Sequence, residues 1–379
     1  MLGRRVAIQT THHILTRSRQ TSTMAQKTTT LAVLDDYAGT STKHFARVQG
    51  LKVDNFPETL NAAKPEGLKA LIERLKPYEV ISSMRERTAF PAELQKQLPN
   101  LKLLMTTGTR NASIDLRAAN ENNIIVTGTK GGRPANQSSD YEPPPPAGQS
   151  TVNQHAWALL LSLCGRIVQD DRALKTSPTA WQSSLIITIP GKTLGLVGLG
   201  KLGTMMAKTA VSAFGMNVIA WSENLTQEKA DAAAESAGLA KGTFKAVSKE
   251  ELFRQSDVVS LHVVLSDRSR GVVGKQELGW MKKSAVLLNT SRGGLIDEQA
   301  LIETLQEGNI EGFATDVFWE EPIGPDSPWR KADDWAKSAV VLSPHMGYVN
   351  AGTMNRWYDE QAEILEHYLR GEELPTRLN

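Results

Sequence analysis

Arg292, Glu321 and His345 lie far apart in this 379-residue chain, yet each follows shortly on an apolar run. The runs are AVLLNTS before Arg292-Gly293-Gly294, GFATDVF before Glu321-Pro322, and AVVLSP before His345-Met346-Gly347. Hydrophobic packing does not require polar residues at three successive strand ends. Together the three side chains form a kit for moving a hydride between a nicotinamide and a carbonyl carbon. That transfer needs a proton at the carbonyl oxygen in the same event, and a histidine titrates in the right range. A neighbouring carboxylate favours the imidazolium and orients the ring, the part assigned to Glu321. Arg292 would grip a carboxylate in a planar two-pronged contact that lysine cannot reproduce. The kit therefore predicts a small 2-oxo or 2-hydroxy acid as substrate.

The dinucleotide half of such a reaction has its own signal. Between Thr193 and Ser222 an apolar run leads into Gly198-Leu199-Gly200-Lys201-Leu202-Gly203, a G-x-G-x-x-G set between a strand pattern and a helix pattern. The first glycine permits the tight turn, the second lets backbone approach a pyrophosphate, and the third lets helix pack on strand. The helix is expected over Leu202–Phe214, its free N–H groups facing the phosphates, with Gly215 as its stop. The remaining candidates for chemistry are weaker. His44, His155 and His262 read as packed or internally satisfied, and Cys164, inside AWALLLSLCG, as helix packing. No His, Cys, Asp or Glu set has metal-ligand spacing, so no metal is expected.

Elements that would position these groups alternate along the chain. Strands are expected at Leu31–Leu34, Tyr78–Ser82, Leu101–Thr106 and Ile124–Val126, with helices at Glu66–Leu75, Pro91–Leu98 and Ile114–Asn120. After the glycine loop come a strand at Asn217–Trp221, a helix at Glu228–Ser236 and strands at Asp257–Val264 and Ala285–Thr290. A helix at Glu298–Glu307, with Asp297 as N-cap, precedes strands at Gly312–Val317 and Val340–Ser343. A last helix runs over Thr353–Leu369. Such alternation predicts an α/β fold with parallel sheets. The expected architecture is a doubly wound Rossmann dinucleotide-binding domain over 151–346 and a smaller flavodoxin-like α/β substrate domain over 31–150. The segment 130–150, with four successive prolines, reads as a linker or surface loop. An apolar helix, Gln154–Gly165, follows it.

Net charge of +2 and 22% charged residues point away from nucleic acid, and no apolar run is long enough to suggest a membrane partner. Residues 1–30 are treated as a leader: Arg4, Arg5, Arg17 and Arg19 occur among Ser, Thr and His, with no acid before Asp35. The composition resembles a mitochondrial presequence. Translation from Met24 would instead give a cytoplasmic protein.

The segments GKTLGLVGLGKLG, SDVVSLHVVL, LLNTSRGGLIDEQAL, ATDVFWEEP and LSPHMG resemble the successive signatures of the D-isomer-specific 2-hydroxyacid dehydrogenases. The resemblance implies that Arg292, Glu321 and His345 are the catalytic trio, that Asp316 lies beside the nicotinamide and that Thr290 belongs to the cofactor-binding set. It implies a split substrate domain, 31–150 joined by the returning 347–379, with reaction in the cleft between domains. LMTTGTRNASID resembles the loop whose amides hold the substrate carboxylate, here Thr107, Gly108 and Thr109. SSMRERTAFP resembles its neighbour and makes Arg85 or Arg87 a substrate contact. Ser222 stands where NAD-preferring members carry an aspartate, and serine would not repel a 2′-phosphate. Glu223 would, so NAD is the expected cofactor, with NADP left open. Gln154 replaces a common glutamate. Glyoxylate or hydroxypyruvate is the implied substrate and a homodimer the implied assembly. A 3-phosphoglycerate dehydrogenase and a non-catalytic NAD-sensing protein remain as alternatives.

Overall fold

Parallel pairing needs a crossover after every strand, and the chain supplies helices for that purpose twice over. The computed structural model describes residues 28–131, 145–146 and 149–379. The leader and most of the proline-rich segment lie outside the described residues. The first sheet comprises β1 (Thr29–Leu34), β2 (Leu51–Phe56), β3 (Val80–Ser83), β4 (Leu103–Thr106) and β5 (Ile125–Thr127) in the order 2-1-3-4-5. All its pairings are parallel. That order is the flavodoxin-like one. Thr29 and Thr30, assigned to the leader from sequence, open β1 and so belong to the folded unit. The unexpected β2 is an edge strand, LKVDNF, largely open to solvent.

The second sheet comprises β6 (Thr193–Val197), β7 (Asn217–Trp221), β8 (Phe244–Ala246), β9 (Val258–Leu261), β10 (Val286–Asn289), β11 (Gly312–Thr315) and β12 (Ala339–Leu342). Its order is 12-11-10-9-6-7-8, again with every pairing parallel. Counted from β6 as its first strand, this is the Rossmann order extended by one strand, and the winding reverses between β6 and β9. Ligands in such sheets sit outside the carboxyl ends at that reversal. Strands β9, β10 and β11 are buried along their whole length, which is why they read as unbroken apolar runs.

Two helices tie the sheets together. Helix Thr151–Cys164 starts three residues before its expected position because Ser150 caps it, accepting from the Val152 amide at 3.2 Å. Its Trp157, Leu160 and Leu163 pack with Leu194, Leu288 and Val341 of the second sheet. The last helix, Ala351–Arg370, follows β12 yet returns to the first sheet, where Met354, Trp357 and Tyr358 pack with Leu31, Val33 and Leu103. The two crossings touch: Asn350 Nδ2 donates to Thr151 Oγ1 at 3.1 Å.

Close approach at the glycine loop is literal. Gly198 has φ 102°, and a Cβ there would lie 2.8 Å from Val263 and 2.9 Å from the His262 backbone. A Cβ on Gly203, in the first turn of helix Lys201–Phe214, would stand 2.3 Å from the Gly198 carbonyl oxygen. Neither backbone neighbour can step aside. Gly203→Ala is therefore expected to destabilise the fold by about 1–3 kcal/mol through overpacking, read as a fall of several degrees in thermal midpoint; an unchanged midpoint would refute this account of the loop.

Candidate active site

His345 sits just beyond β12 with φ 58°, a left-handed backbone that non-glycine residues adopt only under constraint. The constraint comes from Asp316, just beyond β11. Its Oδ1 accepts from the Met346 amide at 2.7 Å and its Oδ2 from the Gly347 amide at 2.9 Å. His155, on helix Thr151–Cys164, places Nε2 3.1 Å from Asp316 Oδ1 and 2.9 Å from Ser343 Oγ. Burial pushes the Asp316 carboxyl up, but His155, Ser343 and the two amides together hold it below the usual carboxylate range. Asp316 thus turns its charge inward, onto the loop that carries His345.

Glu321 approaches from the loop after β11. Its Oε1 accepts from the Phe318 amide at 2.8 Å, and its Oε2 lies 2.6 Å from His345 Nδ1. A carboxylate only accepts, so the proton in that bond belongs to Nδ1 and Nε2 is left for other work. The ring meets Tyr348 edge-on, with centroids 5.5 Å apart. His345 and Glu321 line a cavity of about 130 Å³ with Arg85, Glu86, Arg87 and Tyr348. The adjacent Glu320 accepts from Asn61 Nδ2 at 2.9 Å, a bond from one half of the molecule to the other.

Arg292 stands apart from the other two members of the trio. One guanidinium nitrogen donates to the Ser291 carbonyl at 2.8 Å and another reaches Glu86 Oε1 at 3.3 Å. Arg85 sits over Gly108, where a Cβ would meet its Nη1 at 2.3 Å. The carboxylate-binding loop needs correcting. The Thr107 amide donates to Ser83 O at 3.2 Å and the Gly108 amide to Thr129 Oγ1 at 2.9 Å, so both serve the fold. Thr109 is exposed, and among the described residues its amide has no such bond to the fold. Arg87, the alternative to Arg85, lies over the Tyr37 ring at 4.5 Å.

The residues present fit a dinucleotide. Gly200 has open space where a Cβ would be, and helix Lys201–Phe214 begins there with no side-chain cap on its amides. Lys201 and Leu202 form its first turn, exposed and half-buried respectively. A cavity of about 450 Å³ extends from Gly198 and Gly200 to Ser222, Glu223 and Lys229. Lys229 Nζ donates to the Asn224 carbonyl at 2.6 Å, so a cation lies nearer Ser222 than its place in the sequence suggests. Thr290 follows β10, half-buried, at the same edge of the sheet.

His262 lies beside this loop, 2.8 Å from Ser260 Oγ, and burial holds its pKa to about 4. His44 is buried between Asn355 and Asp359. Burial pushes the Cys164 thiol up to about 11, which fits a packing role. Among the described residues no group of His, Cys, Asp and Glu is placed to hold a metal, and no helix is long and apolar enough to cross a membrane. Sequence reasoning missed Glu86, inside a charged Arg-Glu-Arg run, and the part played by His155. His155 gave little signal, because it follows Asn153 and Gln154 in the polar first turns of its helix.

Residues 157–347 match the profile of the D-isomer specific 2-hydroxyacid dehydrogenase, NAD binding domain. A glyoxylate reductase of Korarchaeum cryptofilum is 31% identical over 83% of this chain and 87% of its own length. A D-3-phosphoglycerate dehydrogenase of Methanocaldococcus jannaschii is 32% identical over 80% of this chain but 52% of its own. Among solved structures, a phosphoglycerate oxidoreductase from Vibrio cholerae superposes with a TM-score of 0.75 at 29% identity, covering 90% of this chain and 99% of that one.

Asp316→Asn retains one acceptor for two amides, so the His345 loop loses part of its anchor. A buried amide left unpartnered leads us to expect kcat/KM to fall about tenfold or more. The folded pKa of Asp316 is depressed, so its stabilisation is complete above the unfolded value of about 4 and is lost as pH falls through the lower folded value. The difference in thermal midpoint between wild type and variant should therefore be full at neutral pH and shrink on acidification below about pH 4. A difference that grows in acid would contradict this role.

Proposed function

The chain belongs to the D-isomer specific 2-hydroxyacid dehydrogenase family, and on that premise we propose that it interconverts a small 2-oxo acid, such as glyoxylate or hydroxypyruvate, with the D-2-hydroxy acid, using His345 as general acid and base. Membership of this family makes the protein an NAD-dependent oxidoreductase. The observation that carries the finer reading is the His345–Glu321 pair, 2.6 Å apart on a cavity of about 130 Å³.

When bound, the nicotinamide supplies the hydride in reduction and takes it in oxidation. Gly198, Gly200 and Gly203 would let the pyrophosphate approach the backbone, with Ser222 and Glu223 at the ribose. His345 gives the proton from Nε2 to the carbonyl oxygen in reduction and removes it in oxidation. Glu321 holds Nδ1 throughout, so the ring neither flips nor faces its charge alone. Arg292 secures the substrate carboxylate and fixes which carbon faces the hydride. Approach of the two halves excludes water from the cleft.

Oxidation of NADH in the presence of glyoxylate, hydroxypyruvate and 3-phosphohydroxypyruvate tests the reading. Turnover should be highest with the first two; no turnover with any 2-oxo acid would end it in favour of a binding role. His345→Ala should lower kcat by about 10²–10⁴, the usual worth of a positioned acid–base group, with NADH binding retained. Near-normal turnover in that variant would sink the mechanism.

The assembly proposed is a homodimer built on helix Ile167–Thr176 and the segment after it. Ile167 and Leu174 are exposed there, Trp181 is 77% exposed and Leu185 89%. Large apolar side chains exposed along one segment suit an interface, and a second copy of the chain is the partner proposed for them. Light scattering should give twice the chain mass for wild type and the single-chain mass for Trp181→Glu combined with Leu185→Glu. A monomeric wild type at micromolar concentration would rule the assembly out.

A further inference from the structure

Glu86 is a charged residue of the cavity to which the proposed reaction gives no part. Its Oε1 lies 3.3 Å from Arg292 Nη2 and its Oε2 3.4 Å from Arg85 Nε. It lines the same cavity as His345 and Glu321. A carboxylate held between two guanidinium groups beside a proton donor has the chemistry of the substrate acid itself. We infer that Glu86 occupies the acid grip in the resting protein, and that a 2-oxo acid binds by exchanging its own carboxylate for that of Glu86 at Arg292.

The inference rests on the reading that Arg292 holds the substrate acid. Arg292 has Nη1 on the Ser291 carbonyl and Nη2 on Glu86, so an incoming carboxylate that takes Nη2 competes with one already bound there. Two carboxylates cannot share that site without mutual repulsion. Glu86 follows β3 of the first sheet and Arg292 follows β10 of the second, so the exchange also breaks a bond between the two halves. Glu86 therefore sets the affinity for the acid without touching the reacting atoms. It selects for ligands whose carboxylate competes successfully with one already in place.

The test is calorimetric binding of oxamate, a 2-oxo acid analogue, to the NADH-loaded protein. E86Q keeps the shape and removes the charge, and should bind oxamate about tenfold more tightly than wild type, the scale of one charge-assisted hydrogen bond. E86D keeps the charge but is too short to span both guanidiniums, and should also bind more tightly. R292Q should bind more weakly. With glyoxylate as substrate, KM should fall in E86Q by more than kcat changes. Unchanged or weaker oxamate binding in E86Q, with R292Q weakened, overturns the exchange and leaves the proposed reaction standing. E86D at wild-type affinity beside a tighter E86Q reduces the effect to long-range charge and overturns it too. Wild-type binding in R292Q removes both the exchange and the acid grip on which it rests.

Discussion

The proton transfer proposed for His345 Nε2 depends on Glu321 holding Nδ1, and the two residues arrive from different strand ends. The 2.6 Å bond between them therefore depends on the register of β11 against β12, where Thr315 pairs with Leu342. A slip of one residue in a sheet turns every side chain to the opposite face. Side-chain size opposes such a slip in β11: Phe313 and Ala314 pack in different clusters, and a Cβ at Gly312 would lie 2.9 Å from Leu163. Fold and chemistry share this constraint: what buries the strand also aims the imidazole.

Asp316 shows how a charge can serve geometry. Of the polar groups at the carboxyl edge, it is among the most deeply buried, at 2% exposure. It is stabilised there by two amides and His155 rather than by a counter-ion at the surface. Those amides belong to the residues right after His345, so the left-handed turn at His345 is held from below. Backbone strain at a reactive residue persists only where its surroundings over-determine it. Here the surroundings include a helix from the point where the chain passes between sheets.

Legibility in the sequence followed burial. Strand β7 and helix Glu298–Glu307 were readable to the residue, because apolar period, Asp297 cap and Gly308 stop agreed. Strand β2 was not, since an edge strand rich in Lys, Asp and Asn has no buried face to impose alternation. Three-residue β8 is too short for any period to register. The helix Lys249–Gln255 carried a readable capping box, Ser248 with Glu251, but lacked enough turns to be recognised by period. At the site, the His345–Glu321 pairing could be anticipated because both groups end strands of one sheet. The bonds of the Thr107 and Gly108 amides could not, as their partners come from the end of β3, at Ser83, and from the loop after β5, at Thr129. Glu86 was hidden for a related reason: its two guanidinium neighbours include one from the other half of the chain, and a charged triplet reads as solvated surface.

The meeting of Asn350 with Thr151 marks the place where both covalent passages between the halves come together. Two strands of chain that cross side by side act as a pivot, and points near a pivot travel the shortest arc. His345 stands five residues before Asn350 (350 − 345), on the returning passage itself. Any relative movement of the halves would therefore displace His345 less than the rim that bears Arg85 and Glu86.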